Sequence, residues 1–236
     1  MSVDHPTFVD LRIKASDNHL TGDAEPFGTG GRIAEIRAGA CEVLAVTIAA
    51  GDGEAYEDRG DLWVLAQDGE ILLTYAQQEL ILSPGTSAAI SRGTTFRWRT
   101  ERPVAMIGMR YLDAVEGTHG IFAIDNDAPL SPSNSPALDV LTSPVPSCRS
   151  NSMFRSTGDE FLCGIWDSTP YQRRAIYFQH CELMHLLEGE VTFTDESDRT
   201  ATFSKGDTFI IEQGARCTWE SYAHVKKIYA YFKSTK

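Results

Sequence analysis

The chain has 236 residues, 42% hydrophobic, 23% charged and 10% aromatic, with 19 glycines and 10 prolines. That is enough apolar material for the cores of two domains of about 100 residues each, which excludes wholesale disorder. With 33 acidic against 21 basic residues the formal net charge is −12, a balance that sets aside nucleic acid and anionic membrane surfaces as partners.

In chain order, residues 1–22 read as a tail or an extra edge strand, with neither the pattern of a secretory signal nor an apolar run long enough for a bilayer. Residues 23–115 form a first domain, and 116–150 a connector rich in proline and serine. Ile121, Phe122, Leu138, Val140 and Leu141 within the connector imply that it packs over the domains. Residues 151–236 form a second domain. Its short segments Glu190–Thr194, Thr200–Phe203, Thr208–Glu212 and Lys226–Phe232 are rich in Val, Ile, Thr, Tyr and Phe, with turn material between them. Apolar residues alternate in these pieces, so the period is that of strands. Only 34–40 and 136–142 offer weak helical patterns. Five cysteines (41, 148, 163, 181, 217), odd in number and without a CxxC pair, point to reduced thiols and a cytoplasmic location.

The two domains share a grammar. Gly69 matches Gly189 at a spacing of 120, while Gly85, Gly93 and Trp98 match Gly206, Gly214 and Trp219 at 121. Landmarks in one order at nearly one offset mean an internal repeat of two similar all-β units.

Within the second copy, Glu182-x6-Gly189 resembles the end of the first cupin motif, G-x5-H-x-H-x(3,4)-E-x6-G. Gly206, Gly214 and Cys217 fall where the second motif, G-x5-P-x-G-x2-H-x3-N, places its two glycines and its histidine. The stretch LLEGEVTFTDESDRTATFSKGDTFIIEQGARCTWE, with Lys226 and Lys227 after it, resembles the uncharacterised bacterial cupins related to ureidoglycine aminohydrolase and the ethanolamine-utilisation cupin. The resemblance implies an all-β bicupin: two tandem jelly-roll (double-stranded β-helix, RmlC-like) barrels, each with a cup at one end, and a homodimer formed through an outer sheet. In metal-binding cupins three imidazoles and a carboxylate meet in that cup.

This sequence departs from that pattern. Tyr177 and Ala175, or Phe178 and Ile176 with the shorter spacing, stand where the paired histidines belong, and Cys217 replaces the last one. In the first copy Leu62 replaces the glutamate and Phe96 the last histidine. Ala55 and Glu57, or Tyr56 and Asp58, fill the pair positions, and Asp58 and Asp61 read as part of a solvated acidic turn. No metal cofactor is therefore expected. A manganese, zinc or iron ion, if bound, would draw on Glu182, Cys217 and His180. His185, three residues beyond Glu182, faces the other side of the strand as a packed or interface residue.

Glu182 needs an explanation, since a lone buried carboxylate is costly. It reads either as a catalytic acid or base with a raised pKa, or as a structural group bonded by Tyr177, His180 or Arg174. Trp166, Tyr177, His180, Glu182, Cys217 and Trp219 are the candidate ligand-binding residues. Arg173 and Arg174 read as a surface pair that would favour a carboxylate on the ligand. The leading expectation is a metal-independent protein that binds a small molecule in the C-terminal barrel. The alternatives are a metal-dependent, amidohydrolase-like enzyme resembling ureidoglycine aminohydrolase, and a dimeric scaffold without a site.

Overall fold

A computed structural model describes residues 7–11, 27, 32–33 and 39–234. No helix among them is long and apolar enough to cross a membrane. Two short strands come first, β1 (Phe8–Asp10) and β2 (Arg32–Ile33). The first half then runs through β3 (Cys41–Ile48), β4 (Gly51–Glu57), β5 (Asp61–Asp68), β6 (Ile71–Tyr75), β7 (Gln78–Leu82), β8 (Ser87–Ile90), β9 (Thr94–Thr100) and β10 (Val104–Tyr111). The connector carries β11 (Ile121–Ile124), β12 (Ser131–Ser133) and a single 3-10 turn at Leu138–Val140. Strand β13 (Cys148–Arg155) then leads into β14 (Phe161–Ser168), β15 (Tyr171–Tyr177), β16 (Cys181–Glu188) and β17 (Glu190–Thr194). The chain ends with β18 (Thr200–Ser204), β19 (Thr208–Ile211), β20 (Arg216–Ser221) and β21 (Val225–Phe232).

The repeat in the glycines is a repeat in topology. The order β8-β5-β10-β3 in the first half recurs as β19-β16-β21-β14, and β4-β9-β6-β7 recurs as β15-β20-β17-β18. In each half a four-stranded sheet faces these four strands of a larger sheet, six-stranded in the first half and seven-stranded in the second, which makes each a jelly roll. The matched turns show why glycine is needed. Gly69 and Gly189 both lie in the left-handed region, at φ +77° and +79°. A Cβ there would come within 2.6 Å of the Pro103 carbonyl oxygen and 2.1 Å of the His224 carbonyl oxygen, respectively.

Three departures concern the flanks. Strand β1 joins the second half, pairing with β19 (Phe8 opposite Ile211), so the N-terminal edge strand crosses to the other barrel. Residues 1–6 and 12–22 of the expected tail, and 34–38 of the weak helical pattern, lie outside the described residues. The connector contributes strands to both halves, β11 to the edge beside β8 and β12 to the edge beside β13. β13 itself begins at Cys148, three residues before the position read from sequence as the start of the second domain.

Alternation along each strand sorts side chains between two environments. On β21, Val225 packs into the interior of the second barrel, while Ile228, Ala230 and Phe232 face outward. Those outward faces meet the first half. Val43, Trp63, Leu65 and Ile107 share one buried cluster with Cys163, Ile165, Leu183 and Ile228. The two large sheets thus pack face to face within one chain, and His185 sits in that seam.

Candidate functional site

The second barrel keeps an open cup of about 630 Å³ at the end where β14, β16 and β21 run side by side. Three inward positions on these strands place its chemistry. Trp166 on β14 lies opposite Lys227 on β21, and Glu182 on β16 lies opposite Tyr231, two inward positions further along β21. Only a long side chain bridges that step. Lys227 leans past Met184 (Nζ to Sδ, 3.1 Å) and donates to Glu182 Oε1 at 2.8 Å. Its Nζ also sits over the faces of Trp166, 4.8 Å from the ring centroid, and Trp219, at 5.3 Å. Lys227 is 6% exposed, so the ammonium is held by a carboxylate and two indoles with little help from water.

His180 precedes β16 and lies at the rim, its ring between Phe178 (4.9 Å) and Tyr231 (4.6 Å). Its Nε2 is 3.7 Å from Glu182 Oε2, too long for a hydrogen bond. Burial pushes the Glu182 carboxyl up, but the Lys227 ammonium and then His180 outweigh it and bring it down to about 2. The raised pKa expected for a catalytic acid is absent. Glu182 is a firm anion at neutral pH, and a poor proton donor there.

The other expected site residues divide. Trp166 lines the cup, and Trp219 lies beneath it, edge-on to Trp166 at 5.8 Å and stacked on Tyr171 at 5.4 Å. Cys217 is fully buried in the barrel interior, where burial lifts its thiol to about 11, so it holds no thiolate for nucleophilic work. Tyr177 is 61% exposed at the end of β15 and does not line the cup. Arg174 is exposed, but Arg173 is not the surface residue its sequence suggested: it is buried, donates to the Cys217 carbonyl at 2.8 Å and covers the Phe178 ring.

Glu182, His180 and Cys217 do not assemble a metal site. No group of three or more His, Cys, Asp or Glu side chains among the described residues converges closely enough to hold an ion. Glu182 already spends one oxygen on an ammonium, and a divalent cation there would also meet the Lys227 charge. The donor set therefore does not fit a cupin metal.

In the first barrel the corresponding cup is filled. Arg110, fully buried on β10, donates to Glu57 (Nε to Oε1, 3.0 Å; Nη2 to Oε2, 2.9 Å), to Glu42 and to the carbonyl of Phe27. Arg59 adds a second guanidinium to Glu42 at 2.8 Å, and the Phe27 ring packs edge-on to Phe96 at 5.1 Å. Asp61, read from sequence as solvated, is 2% exposed and accepts the Arg92 backbone N–H. Two guanidiniums and two carboxylates close this mouth.

Sequence reasoning missed Lys227 as the partner of Glu182. Its signal was the inward register of β21, since Val225, Lys227, Tyr229 and Tyr231 share one face.

Comparison with known proteins fits this architecture. A family model described as the EutQ-like cupin domain matches residues 155–229. A solved protein of unknown function of the DUF861 family, from Pseudomonas syringae pv. tomato, is 33% identical, with a TM-score of 0.82 over 87% of this chain and 88% of that one. The chain belongs to the DUF861 family, and its second half carries an EutQ-like cupin domain. Two more distant structures share the fold alone. Ylba from E. coli, also of DUF861, is 12% identical (TM-score 0.57; 99% of this chain, 95% of that one). A salicylate 1,2-dioxygenase from Pseudaminobacter salicylatoxidans is 11% identical (TM-score 0.58; 98% and 86%). No curated protein matches. Within this DUF861 protein the EutQ-like match falls on the half whose cup is open.

Proposed function

We propose that this cupin binds a small carboxylate-bearing molecule in its C-terminal cup, without a metal ion. The observation that carries the reading is the Lys227 ammonium, held between Trp166 and Trp219 on the floor of a 630 Å³ cavity. Lys227 and the buried Arg173 both bear on the Glu182 carboxylate, which offsets only one of these two charges. One anionic ligand group balances the other, and aromatic walls with a few polar groups suit a small, partly apolar acid. A fixed ammonium supplies what a metal supplies elsewhere, a positive point for an oxygen ligand, without coordination chemistry.

The test is metal analysis of the purified protein together with titration of phenylacetate against Trp166 and Trp219 fluorescence. We expect less than stoichiometric metal, saturable binding by the wild type, and loss of binding in Lys227→Met. One tightly held manganese, zinc or iron ion per chain, released by Glu182→Gln, would overturn the metal-free reading. Phenylacetate binding that is absent, or indifferent to Lys227→Met, would sink the carboxylate site.

A further inference from the structure

We infer that the preferred ligand is a 2-hydroxy carboxylate, which uses both members of the Lys227–Glu182 pair at once. This rests on the carboxylate reading above and adds a second contact. Each partner in the pair has an under-used valence. Lys227 Nζ, with three N–H donors, gives one to Glu182 Oε1, and among the described residues its other partner within hydrogen-bond distance is the thioether of Met184, a weak acceptor. On the carboxylate, Oε1 takes the lysine, while Oε2 has His180 Nε2 no closer than 3.7 Å. The cup therefore presents a strong donor and a strong anionic acceptor side by side, and both Glu182 and Lys227 line the same cavity.

The complement to that arrangement is an anionic oxygen next to a hydrogen-bond donor. A carboxylate oxygen would replace the thioether at Lys227, and a hydroxyl on the adjacent carbon would donate to Oε2. A hydroxyl and an ammonium can both serve as that donor, and charge chooses between them. Lys227, Arg173 and Glu182 together carry one positive charge in excess, which a hydroxy acid cancels and a zwitterionic amino acid does not. The aromatic wall of Trp166, Tyr229 and Tyr231 faces the remainder of the molecule. Ser133, whose buried Oγ has no hydrogen-bond partner among the described residues, also lines the cavity.

A matched series on the full-length protein separates the contacts: mandelate, phenylacetate without its hydroxyl, methyl mandelate without its charge, and phenylglycine with an ammonium in place of the hydroxyl. We expect mandelate to bind at least about tenfold more tightly than phenylacetate, as one hydrogen bond to a charged acceptor requires. Phenylglycine should be weaker than mandelate, and methyl mandelate silent. Glu182→Gln gives the sharper readout. An ammonium accepts nothing, so the glutamine carbonyl must turn to Lys227 and the amide N–H₂ must face the cavity. That variant should erase the wild-type preference for mandelate over phenylglyoxylate, since a hydroxyl and a 2-oxo group can both accept from the amide. Equal affinity for mandelate and phenylacetate would overturn this inference while leaving the carboxylate site standing. Failure of every acid in the series would remove both. Tighter binding of phenylglycine than of mandelate would refute the hydroxyl assignment, as would a Glu182→Gln variant that folds normally and keeps the wild-type order.

Discussion

Glu182 and Lys227 are 45 positions apart in the chain and 2.8 Å apart in the cup. Their pairing makes a prediction about acid stability. Folding lowers the Glu182 carboxyl from its ordinary 4.5 to about 2, so its stabilising contribution is fully present above 4.5 and is lost as pH falls through about 2. That contribution is roughly 3 kcal/mol at neutral pH. Glu182→Gln should flatten unfolding free energy against pH between 4.5 and 2 in urea titrations. Lys227→Met should instead cost about 3–5 kcal/mol at neutral pH, because it strands a buried carboxylate. Adding Glu182→Leu to it should recover much of that loss. If Lys227→Met is as stable as the wild type at pH 7, the pair is not holding the cup. The sequence announced that Glu182 needed a partner, since lone buried carboxylates are expensive. It did not identify the partner, because that depends on how far a lysine on β21 leans across a neighbouring strand.

Strand elements were more legible than side-chain partners. Glu190–Thr194 was read to the residue, and Thr208–Glu212 and Lys226–Phe232 to within one residue at an end, since alternation and positive-φ glycines act locally. The connector was less readable. A stretch such as Ser131–Ser133 has turn composition, yet forms an edge strand beside β13, where Pro132 faces no further neighbour that needs its N–H. The first barrel's mouth shows the same limit. Glu57 was recognised as filling a ligand position, but Arg110, 53 residues away, was not recognised as its counter-ion. Burial raises the Glu57 carboxyl, and the Arg110 guanidinium only partly offsets this. Arg110→Met, which leaves Glu42 and Glu57 inside a dry mouth, should destabilise the protein by about 3–5 kcal/mol. Combining it with Glu57→Gln and Glu42→Gln should restore part of that. Calorimetric unfolding that leaves Arg110→Met within error of the wild type would show that this plug is ornamental.

At the scale of the whole molecule, the two large sheets bury their outer faces on one another. The shared core also couples the halves, and His185 provides a probe of that coupling. The ring donates to or accepts from Thr208 Oγ1 at 2.8 Å, Thr208 in turn reaches Gln67 of the first half at 3.2 Å, and Gly85 leaves room for the imidazole edge. Burial lowers the His185 pKa from 6.5 to about 4, against the weaker opposing pull of Asp207. Folding therefore favours the neutral ring. Stability should be complete above 6.5 and decline as pH falls toward 4, by up to roughly 3 kcal/mol. Glu182 titrates below 4.5, which leaves the window from 6.5 to 4.5 to His185 among these two groups. His185→Gln, which retains a hydrogen bond to Thr208 but has no titrating proton, should flatten the stability curve in that window. Because one core spans both halves, wild-type unfolding there should remain a single transition by fluorescence and circular dichroism. Two separate transitions, or a His185→Gln curve parallel to the wild type from pH 6.5 to 4.5, would show that the seam does not bind the barrels into one unit.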